Sequence, residues 1–102
     1  AAGSILTSNI TIGDHVHINL DSTVGHDVIM EDFTTLAPGV HISGRVRLDK
    51  GCYVGTGANV IEGVHVGAWS TIGAGSTVIE NVPPGATVVG VPGKVIKIRK
   101  EG

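Results

Sequence analysis

An aliphatic residue recurs at every sixth position through most of this sequence, and the repeat constrains the fold more than any other feature. A period of six fits neither an amphipathic helix nor a plain strand alternation, so it predicts short strands separated by tight turns. The large residues at this position are Ile12, Ile18, Val24, Met30, Leu36, Ile42, Leu48, Val54, Val60, Val66, Ile72 and Val78. Four places after each of them stands a small or β-branched residue, which gives a second inward position per unit.

Three six-residue units make one 18-residue coil with three sides. A single coil cannot bury its aliphatic residues, but stacked coils can. We therefore expect an all-β parallel solenoid of about four to five coils over residues 1–83, with no inserted loop. The repeat ends at Pro83-Pro84-Gly85, where proline removes a donor from the ladder. Residues 84–102 are expected to form a loop and then a short capping strand or extended segment over the last coil.

The charge is distributed unevenly along the chain. Residues 1–93 carry three basic and eight acidic side chains, whereas residues 94–102 carry four basic and one acidic. The basic segment is either a solvated tail or a local attraction for a phosphate-bearing ligand. The net charge of −2 gives no argument for nucleic acid, and no signal peptide or membrane span is visible. The lone Cys52 fits a reducing compartment, and its small inward position predicts a buried thiol.

His26 occupies an outward position of its six-residue unit, and Asp27 follows it directly. An aspartate here could hold the imidazole in one tautomer, as an orienting carboxylate does for a catalytic histidine. On the 18-residue period His26 lies beside Gly44, which leaves open space next to the ring. The alternative is an exposed histidine on a solenoid face, and the periodicity alone does not separate the two readings.

Two sets of motifs resemble known enzymes. The repeat, with Val82-Pro83-Pro84-Gly85 and Val89-Gly90-Val91-Pro92-Gly93-Lys94, resembles the left-handed β-helix acyltransferases. A narrower set is similar to sugar acetyltransferases of the NeuD/PglD type, which are sialic acid O-acetyltransferases and UDP-amino-sugar N-acetyltransferases. That set comprises Asn19, His26-Asp27, Phe33, Ala37-Pro38-Gly39 and Ser43-Gly44. The left hand of the coil is implied by this resemblance alone, because the general rule for strand crossovers predicts the opposite hand.

The resemblance implies a cytoplasmic, homotrimeric enzyme that transfers an acetyl group from acetyl-CoA to an amine or hydroxyl of a UDP-amino sugar or sialic acid. His26 would be the general base, oriented by Asp27, and the Gly44 N–H would bind the thioester carbonyl oxygen. Small residues would flank the pantetheine arm, and Lys94 or Lys97 would meet phosphate at the adenine end. The implied site residues are His26 and Asp27 for catalysis, Gly44, Gly55, Gly73, Ala74, Gly90 and Lys94 for the co-substrate, and Asn19 and Thr35 for the acceptor.

Three other observations qualify this expectation. Family members carry an N-terminal nucleotide-sugar-binding βαβ domain, whereas this chain begins directly in the coils; an upstream domain of that kind would favour a nucleotide-sugar acceptor. Thr35 stands where some relatives place a second histidine. His15, Phe33 and Trp69 share one 18-residue column, which we expect to be an external strip that packs against a neighbour.

Two alternative functions remain open. The chain could be a trimerising β-helix scaffold of a larger protein without a complete acceptor site. It could also be a γ-type carbonic anhydrase, which shares the fold and binds zinc through histidines that include a pair five positions apart. No two histidines here have that spacing, and zinc usually takes about three or four protein ligands. We therefore expect no metal site.

Overall fold

The computed structural model describes residues 5, 6 and 8–99. Two-residue strands recur every six residues along the chain, as the repeat predicts, and two longer strands follow them. The strands are β1 Ile5–Leu6, β2 Thr11–Ile12, β3 His17–Ile18, β4 Thr23–Val24, β5 Ile29–Met30, β6 Thr35–Leu36, β7 His41–Ile42, β8 Arg47–Leu48, β9 Tyr53–Val54, β10 Asn59–Val60, β11 His65–Val66, β12 Thr71–Ile72, β13 Thr77–Val78, β14 Ala86–Val89 and β15 Lys94–Ile98.

From β1 to β13 every third strand joins the same sheet, so the chain winds around a three-sided prism. Sheet I has the order β1-β4-β7-β10-β13, sheet II β11-β8-β5-β2, and sheet III β15-β14-β12-β9-β6-β3. The pairing is parallel with an 18-residue offset, as in Thr23↔His41 and Asn59↔Thr77. This register confirms the predicted all-β solenoid of stacked coils. The left hand of the coil stays a prediction from the family resemblance.

The core consists of the two inward rows that the repeat predicts. The large row is buried from Val24 to Val78, and the small row is buried from Ser22 to Val82. The hydroxyls in the small row are satisfied locally; Ser22, for example, donates to the carbonyl of Ala37 at 3.0 Å. Ile12 is 42% exposed although it occupies the same position in its unit. It belongs to the first coils, where fewer neighbouring coils cover the aliphatic row.

The turns between the strands form three corners, each repeated along the prism. The second residue of each turn has a positive φ, and at seven places this residue is not glycine. We name the corners after one member. The His26 corner holds residues 8–9, 26–27, 44–45 and 62–63, the Trp69 corner 14–15, 32–33, 50–51 and 68–69, and the Gly75 corner 20–21, 38–39, 56–57 and 74–75.

The C-terminal segment adds one more layer before it caps the stack. Strand β14 pairs in parallel with β12 at an offset of 16 residues, Thr71↔Thr87, and the bridge Val66↔Val82 already has this offset, so two residues are lost from the last coil between Val78 and Val82. Strand β15 then folds back antiparallel on β14. The parallel winding thus continues past residue 83, and only residues after Val89 cap the edge of sheet III. No membrane-spanning helix is found among the residues that the structure describes.

Candidate functional site

His26 and Asp27 form a paired turn at the His26 corner. The imidazole Nδ1 lies 3.0 Å from Asp27 Oδ2, and both side chains are about half exposed. Asp27 has a φ of 57°, a conformation that aspartate tolerates better than most residues. The fold therefore fixes this carboxylate beside the preceding histidine, as the sequence predicted.

Asp27 is held in its ionised form. The hydrogen bond from His26 lowers the pKa of Asp27, and Asn9 and the positive charge of Arg45 lower it further. An ionised carboxylate can only accept, so the proton of the neutral imidazole lies on Nδ1. Nε2 is then left with its lone pair free to accept a proton.

The imidazole covers the backbone of Gly44 on the next coil. A Cβ atom at residue 44 would lie 2.7 Å from Nε2 and 2.9 Å from Cε1 of His26. Gly44 is not in the positive-φ region, so the position calls for glycine because of space and not because of backbone conformation. This contact brings together three of the residues singled out in the sequence: His26, Asp27 and Gly44.

Gly44 also presents a backbone donor beside the ring. Among the described residues, its N–H donates no hydrogen bond. At the same place in other units, the N–H of Asp14 donates to Asp32 Oδ1 at 2.7 Å, and the N–H of Lys50 donates to Glu31 Oε1 at 3.2 Å. N–H groups at this turn position can thus bind anionic oxygens, and the N–H of Gly44 lies next to a histidine.

A second group of the predicted residues gathers at the Gly75 corner. A Cβ on Gly55 would lie 2.7 Å from the Ala74 nitrogen, and one on Gly73 would lie 2.9 Å from Cγ1 of Val89. Gly90 closes the top of this corner, since its N–H donates to Ser76 Oγ at 3.1 Å. The coils here present closely stacked backbone with little side-chain cover.

The two predicted acceptor residues and Lys94 lie away from His26. Asn19 donates from Nδ2 to the carbonyl of Leu36 at 2.9 Å, next to the Gly75 corner. Thr35 is paired with His17 and Tyr53 on sheet III. Lys94 lines a 270 Å³ depression at the C-terminal end, together with Ile79 and Gly93.

One chain therefore holds two separate groups of predicted site residues. The His26 corner carries the histidine, its carboxylate and a backbone donor, whereas the Gly75 corner carries the small residues. One six-residue side of a coil separates them, which spans up to about 20 Å of extended chain. Within a single chain these groups do not meet.

Comparison with known proteins gives relatives of one kind, although no model of a known protein family matches the chain. The GDP-perosamine N-acetyltransferase of Escherichia coli O157:H7 is 39% identical over 97 residues, which cover 90% of this chain and 44% of that protein. A serine acetyltransferase of Buchnera aphidicola is 38% identical over 93 residues, covering 88% of this chain and 33% of the relative. The solved structure of WeeI from Acinetobacter baumannii AYE superposes with a TM-score of 0.89 and is 37% identical, covering 91% of this chain and 46% of that one. Over nearly its whole length, the chain is similar to the β-helix of hexapeptide-repeat acetyltransferases.

A further member of the family was solved with a bound thioester. The acetyltransferase domain of PglB from Neisseria gonorrhoeae FA1090, in complex with acetyl coenzyme A, superposes with a TM-score of 0.80 at 26% identity, covering 93% of this chain and 55% of that one. The chain spans less than half the length of the curated relatives named above. The shared part is the β-helix.

Two features of this β-helix were missed in the sequence. Asn9 adds a hydrogen bond to Asp27, and its place one 18-residue period below Asp27 could have revealed it. A second histidine–carboxylate pair joins His65 Nε2 to Asp49 Oδ2 at 2.7 Å on sheet II. No cluster of His, Cys, Asp or Glu suited to a metal ion occurs within residues 5, 6 and 8–99.

Proposed function

We propose that this chain is the catalytic β-helix of an enzyme that transfers an acetyl group from acetyl-CoA to an amine or hydroxyl of a sugar. The observation that carries the proposal is the His26–Asp27 pair placed over Gly44. The GDP-perosamine N-acetyltransferase relative favours an amino-sugar acceptor, and the PglB domain favours acetyl-CoA as the donor. A lone buried thiol fits a reducing, cytoplasmic compartment.

In this mechanism His26 is the general base. Asp27 accepts the Nδ1 proton in a hydrogen bond and keeps Nε2 free. As the acceptor amine or hydroxyl attacks the thioester carbonyl carbon, Nε2 takes its proton; such a base contributes about 10²–10⁴-fold. The Gly44 N–H stabilises the negative oxygen of the tetrahedral intermediate. When the intermediate collapses, the carbon–sulfur bond breaks, and the imidazolium returns the proton to the departing thiolate.

We also propose that the complete site lies between two copies of the chain in a homotrimer. The supporting observation is that His26 and the small residues at Gly55, Gly73 and Ala74 lie at different corners. The His26 corner of one copy facing the Gly75 corner of the next would place the thioester at Nε2 and the pantetheine arm along bare backbone. Lys94, at the C-terminal end, would then approach the phosphates.

Asn19 and Thr35 would contribute to the acceptor site from the second copy, since both lie on the side of the prism near the Gly75 corner. Thr35 offers a hydroxyl that can donate and accept, in place of an ionisable histidine. The contact between residue 35 and the acceptor substrate would therefore be uncharged.

The test is release of CoA thiol from acetyl-CoA in the presence of candidate acceptors: GDP- and UDP-amino sugars, sialic acid and serine. We expect release with an amino sugar or sialic acid and none with serine. Release with serine alone would contradict the sugar proposal. No release with any acceptor, together with no calorimetric binding of acetyl-CoA at millimolar concentration, would favour the scaffold alternative.

A further inference from the structure

The Trp69 corner carries a ladder of side chains that continues toward a groove. Residues His15, Phe33, Gly51, Trp69 and Gly85 succeed one another along it, and all have a positive φ. The rings of His15 and Phe33 stack in parallel, with centroids 5.2 Å apart and an interplanar angle of 6°. These two aromatic rings therefore lie one coil apart along the prism.

Gly51 and Gly85 interrupt this ladder in different ways. The indole of Trp69 lies directly against Gly51, where a Cβ atom would overlap the ring. One side of the indole is therefore covered by backbone. On its other side, toward the C-terminus, a groove of 520 Å³ is lined by Ala68, Trp69, Pro84, Gly85 and Arg99. Trp69 is 51% exposed. The Arg99 carbonyl oxygen lies 3.1 Å from the place of a Cβ on Gly85, so Gly85 and Arg99 together line the groove beyond the indole.

Arg99 lines the groove, and a second cation and two hydroxyls lie in the depression beside it. An adjoining depression is lined by Trp69, Thr71, Gly85, Thr87, Lys97 and Arg99. Among the described residues, no carboxylate lines either cavity. In the part of the chain that the structure describes, the ion pairs use Arg45, Arg47 and two histidines, so Lys97 and Arg99 have no carboxylate partner. The Arg99 N–H donates to the Gly85 carbonyl at 2.8 Å, which fixes this residue at the rim.

We propose that this groove binds a nucleoside phosphate, with its base stacked on the indole of Trp69 and its phosphate between Arg99 and Lys97. A flat ring would continue the existing ladder, and aromatic side chains stack on bases irrespective of sequence. A guanidinium forms charge-assisted hydrogen bonds to phosphate oxygens. The volume lies within the range of about 300–1,000 Å³ that is usual for small-molecule sites. The site is separate from the His26 corner of the same chain.

Because Trp69 is the only tryptophan, its fluorescence reports on this groove directly. The probes are GDP and adenosine 3′,5′-bisphosphate, with guanosine as the base alone and pyrophosphate as the anion alone. We expect saturable quenching by both nucleotides, binding of guanosine and pyrophosphate that is about tenfold or more weaker, and unchanged nucleotide binding in His26→Ala. Arg99→Ala should weaken nucleotide binding by about tenfold or more, because one charge-assisted contact is lost.

Calorimetry on Trp69→Phe and Trp69→Ala separates stacking from simple charge attraction, with circular dichroism to confirm that both variants fold. The proposal predicts that Phe retains most of the GDP affinity and that Ala loses it. It is overturned if GDP causes no saturable change at millimolar concentration, if pyrophosphate binds as tightly as GDP, or if folded Trp69→Ala binds GDP as well as the wild type. Acetyl transfer is measured on Arg99→Ala in parallel; unchanged transfer with lost nucleotide binding shows that the two sites are independent.

Discussion

The imidazole of His26 lies over Gly44 so closely that any side chain at residue 44 would displace it, since a Cβ there would fall 2.7 Å from Nε2. Comparison with the second histidine–carboxylate pair, His65 with Asp49, shows why the position of His26 over Gly44 matters. His65 is equally exposed and bonds its carboxylate at 2.7 Å, but its Nε2 is occupied by that bond. His26 uses Nδ1 instead and keeps Nε2 over a glycine. The two pairs therefore differ in the nitrogen that they leave available.

Gly44→Ala should reduce acetyl transfer while leaving the fold stable. The three atoms nearest to the new Cβ all belong to the exposed His26 ring, which can turn aside, and residue 44 is not in a positive-φ conformation. We expect a stability change within about 0.5 kcal/mol and a loss of about 10²-fold in kcat/KM from the displaced base. Thermal unfolding and steady-state kinetics measure the two effects.

Gly55→Ala is the matched contrast for stability. Its Cβ would lie 2.7 Å from the Ala74 nitrogen and 2.8 Å from the Ile72 carbonyl oxygen, and this backbone cannot turn aside. We expect destabilisation of about 1–3 kcal/mol. Equal stability losses in Gly44→Ala and Gly55→Ala would contradict the description of residue 44 as packed against a ring that can move.

Removing the imidazole should raise the pKa of Asp27 toward its ordinary value of 3.8, because the hydrogen bond from His26 is the largest cause of its lowering. A carboxylate with a lowered pKa stabilises the fold above its ordinary value, and that contribution is lost as the pH falls through the folded-state pKa, below about pH 4. Carbon-detected NMR titration of Asp27 in the wild type and in His26→Ala measures the shift. His65→Ala is the control and should leave the Asp27 titration unchanged.

Cys52 should be inert to thiol reagents in the folded protein. Burial raises its pKa from 9.0 to about 12, so the thiolate is scarce at neutral pH. A group with a raised folded-state pKa lowers stability as the pH rises between its unfolded and folded values, here from about pH 9 upward. We expect labelling by a chromogenic disulfide at about pH 8 only after denaturant is added. Rapid labelling of the native protein would place the thiol at the surface.

Two isoleucines at the same position of their units should respond differently to truncation. Ile72 is fully buried and Ile12 is 42% exposed. Ile72→Ala should cost about 2–5 kcal/mol because it leaves a cavity, whereas Ile12→Ala should cost less than about 1 kcal/mol. Denaturant unfolding of both variants compares them. Similar losses of unfolding free energy in the two variants would mean that Ile12 is covered by contacts from outside this single chain.

The repeat alone predicts the strands and both inward rows. With a uniform 18-residue offset, each inward side chain stacks on the equivalent side chain of the next coil. The repeat does not predict the end of the stack. The offset changes from 18 residues at Val60↔Val78 to 16 at Val66↔Val82, so two residues are lost between Val78 and Val82, before the Pro83-Pro84 turn. Nor does it predict that Phe33, Arg45 and Trp69 adopt positive φ, because ladder bonds on both sides of the turn outweigh their local preference.

The site was predictable only where its residues share a column. His26, Asp27 and Gly44 meet because sequence positions 18 apart stack, which simple arithmetic gives. The same arithmetic puts Gly55 and Gly73 in a different column from His26, but their grouping with His26 came from the family resemblance and not from the coil. The separation of these corners is the physical reason for expecting a second copy of the chain at the site.

The most direct test of this account compares kcat/KM for acetyl transfer in His26→Ala and His65→Ala. Both variants remove a half-exposed histidine that is paired with an aspartate, so the effects on charge and fold are matched. If His26 is the base, His26→Ala loses about 10²–10⁴-fold while His65→Ala stays close to the wild type. Near wild-type transfer in folded His26→Ala, or equal losses in both variants, would contradict the assignment.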